Sequence, residues 1–211
     1  LHCRLRFHRK FRRTRRFRIS GSSASFCKKG EGALQRGFTI QSKVDGLVLD
    51  GLVVEPEEGV QRTALLQLSH GMSEYKERYL PFMEFMAEHG VVCVIHDHRG
   101  HGKSVKSEQD LGFMYGAGGV GLVEDLFLVT KWAKKEYPDL PFVLMGHSMG
   151  SYMLRKYLTI HNDDLRGAII MGTGCVPDNT TKLGINVCKF LAKIFGWHHR
   201  SKLVESLSFG G

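Results

Sequence analysis

Cysteine pairing is missing from this sequence. Its five cysteines, Cys3, Cys27, Cys93, Cys175 and Cys188, are an odd number, scattered, with no C-x-x-C pair. That excludes a disulfide framework or a zinc knuckle as the organising device and points to a reducing compartment, with the cytoplasm as the expected location. An uninterrupted apolar run of about 18 residues is also missing, so no segment is expected to cross a membrane. Acidic side chains are nearly missing from residues 1–36, which carry 12 Lys and Arg against the single acid Glu31. Residues 37–211 hold 18 basic and 20 acidic side chains, so the net charge of +9 belongs to the leader, and no nucleic-acid partner is expected for the remainder.

The leader opens L-H-C-R-L-R-F-H-R-K-F-R-R-T-R-R-F-R-I-S, without an initiating Met. Three readings fit it. Arg interleaved with Phe7, Phe11 and Phe17 suits an arm for phosphates or a membrane surface. An Arg-rich, Ser-rich, acid-poor opening also suits an organellar transit peptide. The abrupt change of composition near Phe38 suits non-native sequence placed ahead of the true protein. Residues 1–36 are therefore read as a basic, disordered or non-native leader and kept out of the fold.

From Phe38 the pattern alternates. Phe38–Lys43 and Leu47–Glu55 read as strands joined by a tight Asp45-Gly46 turn. Arg62–Ser69 is a third strand, Tyr79–His89 a helix stopped by Gly90, and Val91–Ile95 a strand apolar on both faces. Gly121–Glu136 places Leu122, Leu126, Val129 and Ala133 on one helical face. Phe142–Met145 and Ala168–Met171 are further short strands. The alternation predicts an α/β fold, a mostly parallel sheet with helices on both faces.

The stretch P-F-V-L-M-G-H-S-M-G-S-Y at 141–152 is the chemical focus. An apolar run enters G-x-S-x-G, and Met153, Leu154, Tyr157 and Leu158 follow at helical spacing. A serine at a sharp strand-to-helix turn needs tiny neighbours two positions away on each side, which Gly146 and Gly150 supply. The turn aims the Ser148 hydroxyl beside a helix N-terminus, whose free N–H groups favour developing negative charge. Such a stretch suits acyl transfer.

Two other chemistries are tempting at H-D-H-R-G-H-G-K-S, residues 96–104. His96, His98 and His101 have the H-x-H flavour of a metal site, but no acidic residue follows His98 where such a site would want one. The tail G-H-G-K-S mimics a phosphate loop, yet the position that must be glycine is Asp97. Neither a metal nor an organic cofactor is expected.

Taken together, H-G-M at 70–72, D-H-R-G-H-G-K-S at 97–104 and G-H-S-M-G at 146–150 resemble the α/β-hydrolase fold. More narrowly, they resemble the monoacylglycerol lipase and lysophospholipase branch, serine aminopeptidase-like. The resemblance implies Ser148 as nucleophile and the backbone N–H groups of Met72 and Met149 as the oxyanion hole. It implies support of the loop and elbow by His70, Gly71, Gly146, His147 and Gly150, with neither His70 nor His147 catalytic. The loop at 97–104 would be structural. Residues 37–175 would form the N-terminal part of the hydrolase domain and residues 176–211 the start of a cap, which in such enzymes covers the acyl pocket and often touches lipid. Leu183, Val187, Phe190, Leu191 and Ile194 line one face of a helix there, and by pattern alone that stripe would simply pack against the domain.

A serine hydroxyl needs a base, and the base needs an acid to orient it, in the chain order Ser, Asp or Glu, His. After Ser148 the histidines are His161, His198 and His199, and the acids Asp163, Asp164, Asp178 and Glu205. His161 ends the elbow helix, about 20 Å from the serine. No triad can be assembled from the rest. The expectation is an incomplete hydrolase, lacking its last strands and most of its cap, with negligible turnover as it stands. Its parent would cleave carboxylic esters of lipids, monoacylglycerol or lysophospholipid, through an acyl-serine intermediate. A non-catalytic binding protein of the same fold, and a nucleic-acid-associated protein acting through residues 1–20, are the alternatives. The strand at Ala168–Met171 would be left as a sheet edge prone to aggregation.

Overall fold

A computed structural model describes residues 28–30, 33–161, 165–199, 201, 202 and 204, so most of the leader lies outside the described residues. Seven strands form one sheet: β1 (Lys28–Gly30), β2 (Ala33–Gln41), β3 (Val48–Pro56), β4 (Ala64–Ser69), β5 (Val91–His96), β6 (Phe142–His147) and β7 (Gly167–Met171). Their spatial order is β1-β2-β3-β5-β4-β6-β7. Pairings from β1 through to β5 are antiparallel, and those joining β5, β4, β6 and β7 are parallel. The helices are α1 (Leu80–Glu88), α2 (Gly118–Glu136), α3 (Met149–Leu158) and α4 (Asp178–Phe195).

The alternation of side chains along the central strands separates two cores. Val53, Leu65, Val92, Val94, Phe142 and Leu144 face α2 and α3, meeting Leu122, Leu126, Val129 and Leu154. Their sequence neighbours Val54, Leu66, Cys93, Ile95 and Met145 face the other way, onto Met83 and Ala87 of α1. A strand buried on both faces has no polar period, which is why these segments read as continuous apolar runs. By length and composition α2 and its approach would suffice to cross a membrane, but α2 lays its apolar face on the sheet as a core helix.

The structure departs from the sequence reading at the leader and on α4. Composition put the end of the leader at residue 36, whereas β2 begins at Ala33 and pairs Ala33 with Pro56 of β3. Residues 28–30, as β1, and 33–36 join the sheet because ladder hydrogen bonds are indifferent to side-chain charge. The stripe on α4 is not packed as a surface helix packs its stripe: Leu183, Phe190 and Ile194 are exposed, and α4 buries no residue. At the sheet edge, Ile169, Ile170 and Met171 of β7 are also exposed. Adjacent strand residues point to opposite faces, so β7 is bare on both.

The segment 97–104 is structural, and the structure shows how. Asp97 accepts from the Lys76 ammonium at 2.7 Å and from the backbone N–H groups of Lys76 and Lys103, both at 2.8 Å. Gly102 has φ +48, and a Cβ there would run into the Asp97 carboxylate. Arg99 is fully buried and donates to Asp125 at 2.8 Å, Asp45 at 2.9 Å and Ser42 at 3.0 Å, tying the β2–β3 turn to α2. Among the described residues no group of three or more His, Cys, Asp or Glu converges as a metal ion would require. Instead His70, His96, His98 and His101 pack ring against ring, with centroids of neighbouring pairs 4.0–6.4 Å apart.

All four rings are buried, and burial pushes each below the usual imidazole value of 6.5, His70 to about 3 and His96 to about 4. The folded protein therefore holds them neutral while the unfolded chain takes up protons below pH 6.5. Stability is expected to be level with respect to these groups above pH 6.5 and to fall steadily as the pH drops toward 4. Urea melts at pH 7.5, 5.5 and 4.5 measure this, and equal midpoints would contradict it.

Candidate active site

The elbow is built by backbones in contact. β6 ends at His147 and α3 begins at Met149, so Ser148 alone makes the turn, with φ 51 and ψ −116. A non-glycine residue held there costs about 1–3 kcal/mol, which the surroundings must offset. They do so by pinning both sides of the residue. The Ser148 N–H donates to the Met171 carbonyl at 3.0 Å, and the Ser148 carbonyl accepts from Ser151 N–H at 2.9 Å and Ser151 Oγ at 2.6 Å. A Cβ on Gly146 would run into the Gly150 carbonyl, and one on Gly150 into the Ser69 carbonyl. Strand β6, helix α3 and the end of β4 thus touch main chain to main chain.

The H-G-M loop lies against this turn: a Cβ on Gly71 would sit 3.2 Å from the Ser148 Cβ. Gly71 to Glu74 is a four-residue turn closed by Glu74 N–H to Gly71 C=O at 3.3 Å, with Ser73 at φ 67. His70 supports it from below. Its Nδ1 donates to the Gly71 carbonyl at 2.8 Å, and its Nε2 accepts the His98 backbone N–H at 3.0 Å, so the neutral ring is held in one tautomer. The backbone N–H groups of Met72 and Met149 have no acceptor among the described residues. One comes from the loop and one from the first turn of α3, as two donors aimed at a developing oxyanion would.

His147 turns away from its neighbour. Its Nδ1 lies 3.3 Å from the Tyr79 hydroxyl and 3.4 Å from Glu74 Oε2, and its opposite edge packs over Gly172. Neither Glu74 nor Tyr79 is among the site residues of the sequence reading. The usable signal was the spacing: a carboxylate three residues after Gly71 can fold back onto that residue's N–H, as it does in a helix capping box. It does so here, at 2.7 Å, while Tyr79 Oη donates to the same oxygen at 2.7 Å. Burial works against the Glu74 anion, but the hydrogen bonds from Tyr79, Gly71 and His147 outweigh it and hold its carboxyl below the ordinary range.

No described histidine reaches Ser148. His161 stacks on Phe127, with centroids 3.7 Å apart, and its Nε2 lies 3.5 Å from Glu124. His198 rests on Phe113 and His199 on Phe195. Asp163, Asp164 and Glu205 lie outside the described residues. The arrangement therefore brings together a strained, presented hydroxyl and two backbone donors, and among the described residues it does not bring together a triad.

Comparison with known proteins matches residues 60–209 to the family Serine aminopeptidase, S33. A monoglyceride lipase homolog of monkeypox virus is 30% identical over 132 residues, 62% of this chain and 46% of its own length. The monoacylglycerol lipase of Mycolicibacterium smegmatis is 27% identical, over 60% of this chain and 44% of that protein. The chain thus spans less than half the length of these relatives. Among solved structures, a thermostable carboxyl esterase from Bacillus coagulans in complex with glycerol superposes with a TM-score of 0.65 at 31% identity, over 76% of this chain and 51% of that one. A soluble variant of the monoglyceride lipase of Saccharomyces cerevisiae shares the fold, with a TM-score of 0.58 at 21% identity over 74% of this chain and 52% of that one.

The elbow makes a direct stability prediction. Gly150→Ala is expected to destabilise the protein by about 1–3 kcal/mol or more, because the new Cβ meets the main chain of Ser69, which cannot rotate aside. Chemical denaturation of the variant beside Ser151→Ala, which removes one hydroxyl and adds no atom, measures it.

Proposed function

The chain belongs to the serine aminopeptidase S33 family and has the α/β-hydrolase fold of esterases and lipases, and from that premise we propose that the whole protein hydrolyses carboxylic esters of lipids, through Ser148. The observation that carries the reading is Ser148 itself, strained at φ 51 between two glycines and beside two backbone N–H groups without acceptors among the described residues. In the first step Ser148 Oγ attacks the ester carbonyl carbon and its proton passes to a base. The carbonyl oxygen becomes an oxyanion between the Met72 and Met149 N–H groups. Collapse expels the alcohol, which takes up the proton, and leaves an acyl-serine for water to cleave. The base is none of the described histidines. Monoacylglycerol is the favoured substrate class, supported by the monoglyceride lipases among the relatives, with lysophospholipid second.

We also propose that α4 takes the protein to the substrate's surface. Leu183, Phe190, Ile194 and Phe195 of α4 and Trp197 just beyond its end are exposed, with Lys182, Lys189 and Lys193 on the helix, a combination suited to an anionic lipid interface.

Expressed from its complete coding sequence, the protein is expected to hydrolyse a monoacylglycerol and a short p-nitrophenyl ester. Ser148→Ala should lower the rate by about three orders of magnitude or more. Unchanged turnover in that variant would overturn the assignment. Sedimentation with phosphatidylserine vesicles is expected to carry the protein down, and Phe190→Asp with Ile194→Asp to leave it in solution. Equal sedimentation of both proteins would dismiss α4 as the contact.

A further inference from the structure

We propose that Glu74 is a positioning residue for the oxyanion loop: its carboxylate holds Gly71 so that the Met72 N–H is presented to the Ser148 oxyanion. The inference rests on the ester-hydrolase reading of the site and adds to it a residue outside the three motifs that carry that reading.

Glu74 Oε2 meets three parts of the site in one place. Gly71 N–H donates to it at 2.7 Å from the loop, Tyr79 Oη at 2.7 Å from the turn leading into α1, and His147 Nδ1 lies 3.4 Å away on the elbow. The Glu74 side chain is 10% exposed, and Arg78 beside it, at 3.4 Å, is largely in solvent. The oxygen nearest the site is therefore kept by partners inside the fold and not by the surface cation.

Planarity carries this hold to the oxyanion donor. Gly71 C=O and Met72 N–H belong to one planar trans peptide and point in opposite directions. The carbonyl is fixed by His70 Nδ1 at 2.8 Å and by Glu74 N–H at 3.3 Å. The preceding peptide is fixed by Gly71 N–H on Glu74 Oε2. With the peptides on both sides of Gly71 held, the direction of Met72 N–H is determined. Gly71 N–H is itself occupied by the carboxylate and so is not the amide that serves the oxyanion. Glu74 supplies the hold on one side and, through its own N–H, half of the hold on the other. Ser73 at φ 67 adds strain that favours a different turn once the carboxylate is gone.

The experiment uses the complete protein with Glu74→Ala, Glu74→Gln and Tyr79→Phe, reading hydrogen exchange at the Gly71 amide together with kcat and KM. In Glu74→Ala, exchange at Gly71 is expected to quicken by about tenfold or more, since a hydrogen bond to a charged acceptor is lost. Its kcat should fall about ten- to a hundredfold with KM within about twofold, short of the two to three orders that deletion of an oxyanion donor costs. Glu74→Gln, whose amide oxygen can still accept, should recover most of both. Tyr79→Phe, which leaves the carboxylate but removes a donor that aims it, should give a smaller fall of the same kind, and decides the matter should Glu74→Ala not fold. Unchanged Gly71 exchange in Glu74→Ala overturns the inference and leaves the ester-hydrolase reading standing. A raised KM at constant kcat also overturns it, since Glu74 would then be binding substrate. Turnover that Ser148→Ala does not touch overturns the reading of the site itself, and the role of Glu74 in the reaction with it.

Discussion

Main chain packed against main chain at the elbow is the constraint on which the site depends. Gly146, Gly150 and the Ser69 carbonyl close on one another with no room for a side chain, and that contact draws β4, β6 and α3 to one point. The parallel pairing of β4 with β6 runs to this point, Ser69 opposite Gly146. The Met171 carbonyl, at the end of β7, then takes the Ser148 N–H. Everything that makes Ser148 unusual, its positive φ, its presentation and its neighbouring free amides, is a result of how closely those strands must end.

Much of this was legible in the sequence because it is written in local patterns. The elbow is a spacing of two glycines about a serine, the two-sided cores are apolar runs, and α2 is a helical stripe. The α/β-hydrolase resemblance followed from three motifs in order, and the family match over residues 60–209 agrees with it. The parts that were not legible depend on long-range geometry. Charge could not show that β2 starts at Ala33, because the ladder to β3 is made by backbone groups whatever charge the side chains carry. Nor could periodicity show that Leu183 and Phe190 stay exposed, because an apolar stripe announces that a face is sticky without saying what meets it. Glu74 was passed over since its partners, Tyr79 and His147, are brought to it by the turn into α1 and by β6.

The polar interior has a different logic. His70 and His98 sit beneath the oxyanion loop as neutral hydrogen-bonding groups, and burial enforces that neutrality. Lys76 and Arg99, by contrast, are buried as cations, each matched by carboxylates: Asp50, Asp97 and Glu77 for the first, Asp45 and Asp125 for the second. A motif that mimicked metal and phosphate chemistry in the sequence is thus a set of internal ties. Removing one partner would strand a buried charge, which is far more costly than losing a surface pair.

The Arg99 tie also bears on how the chain reaches this state. Its partners Asp45 and Asp125 lie 54 and 26 residues away along the chain. A buried guanidinium is tolerable only once both have arrived, so a half-docked α2 or an unclosed β2–β3 turn is penalised and not merely incomplete. Contacts that span such distances must meet the loss of chain entropy before they yield anything in return, and folds dominated by them form slowly. The same guanidinium that fastens the finished structure therefore works against its partly assembled forms, making docking of the hairpin and of α2 close to a single event in time.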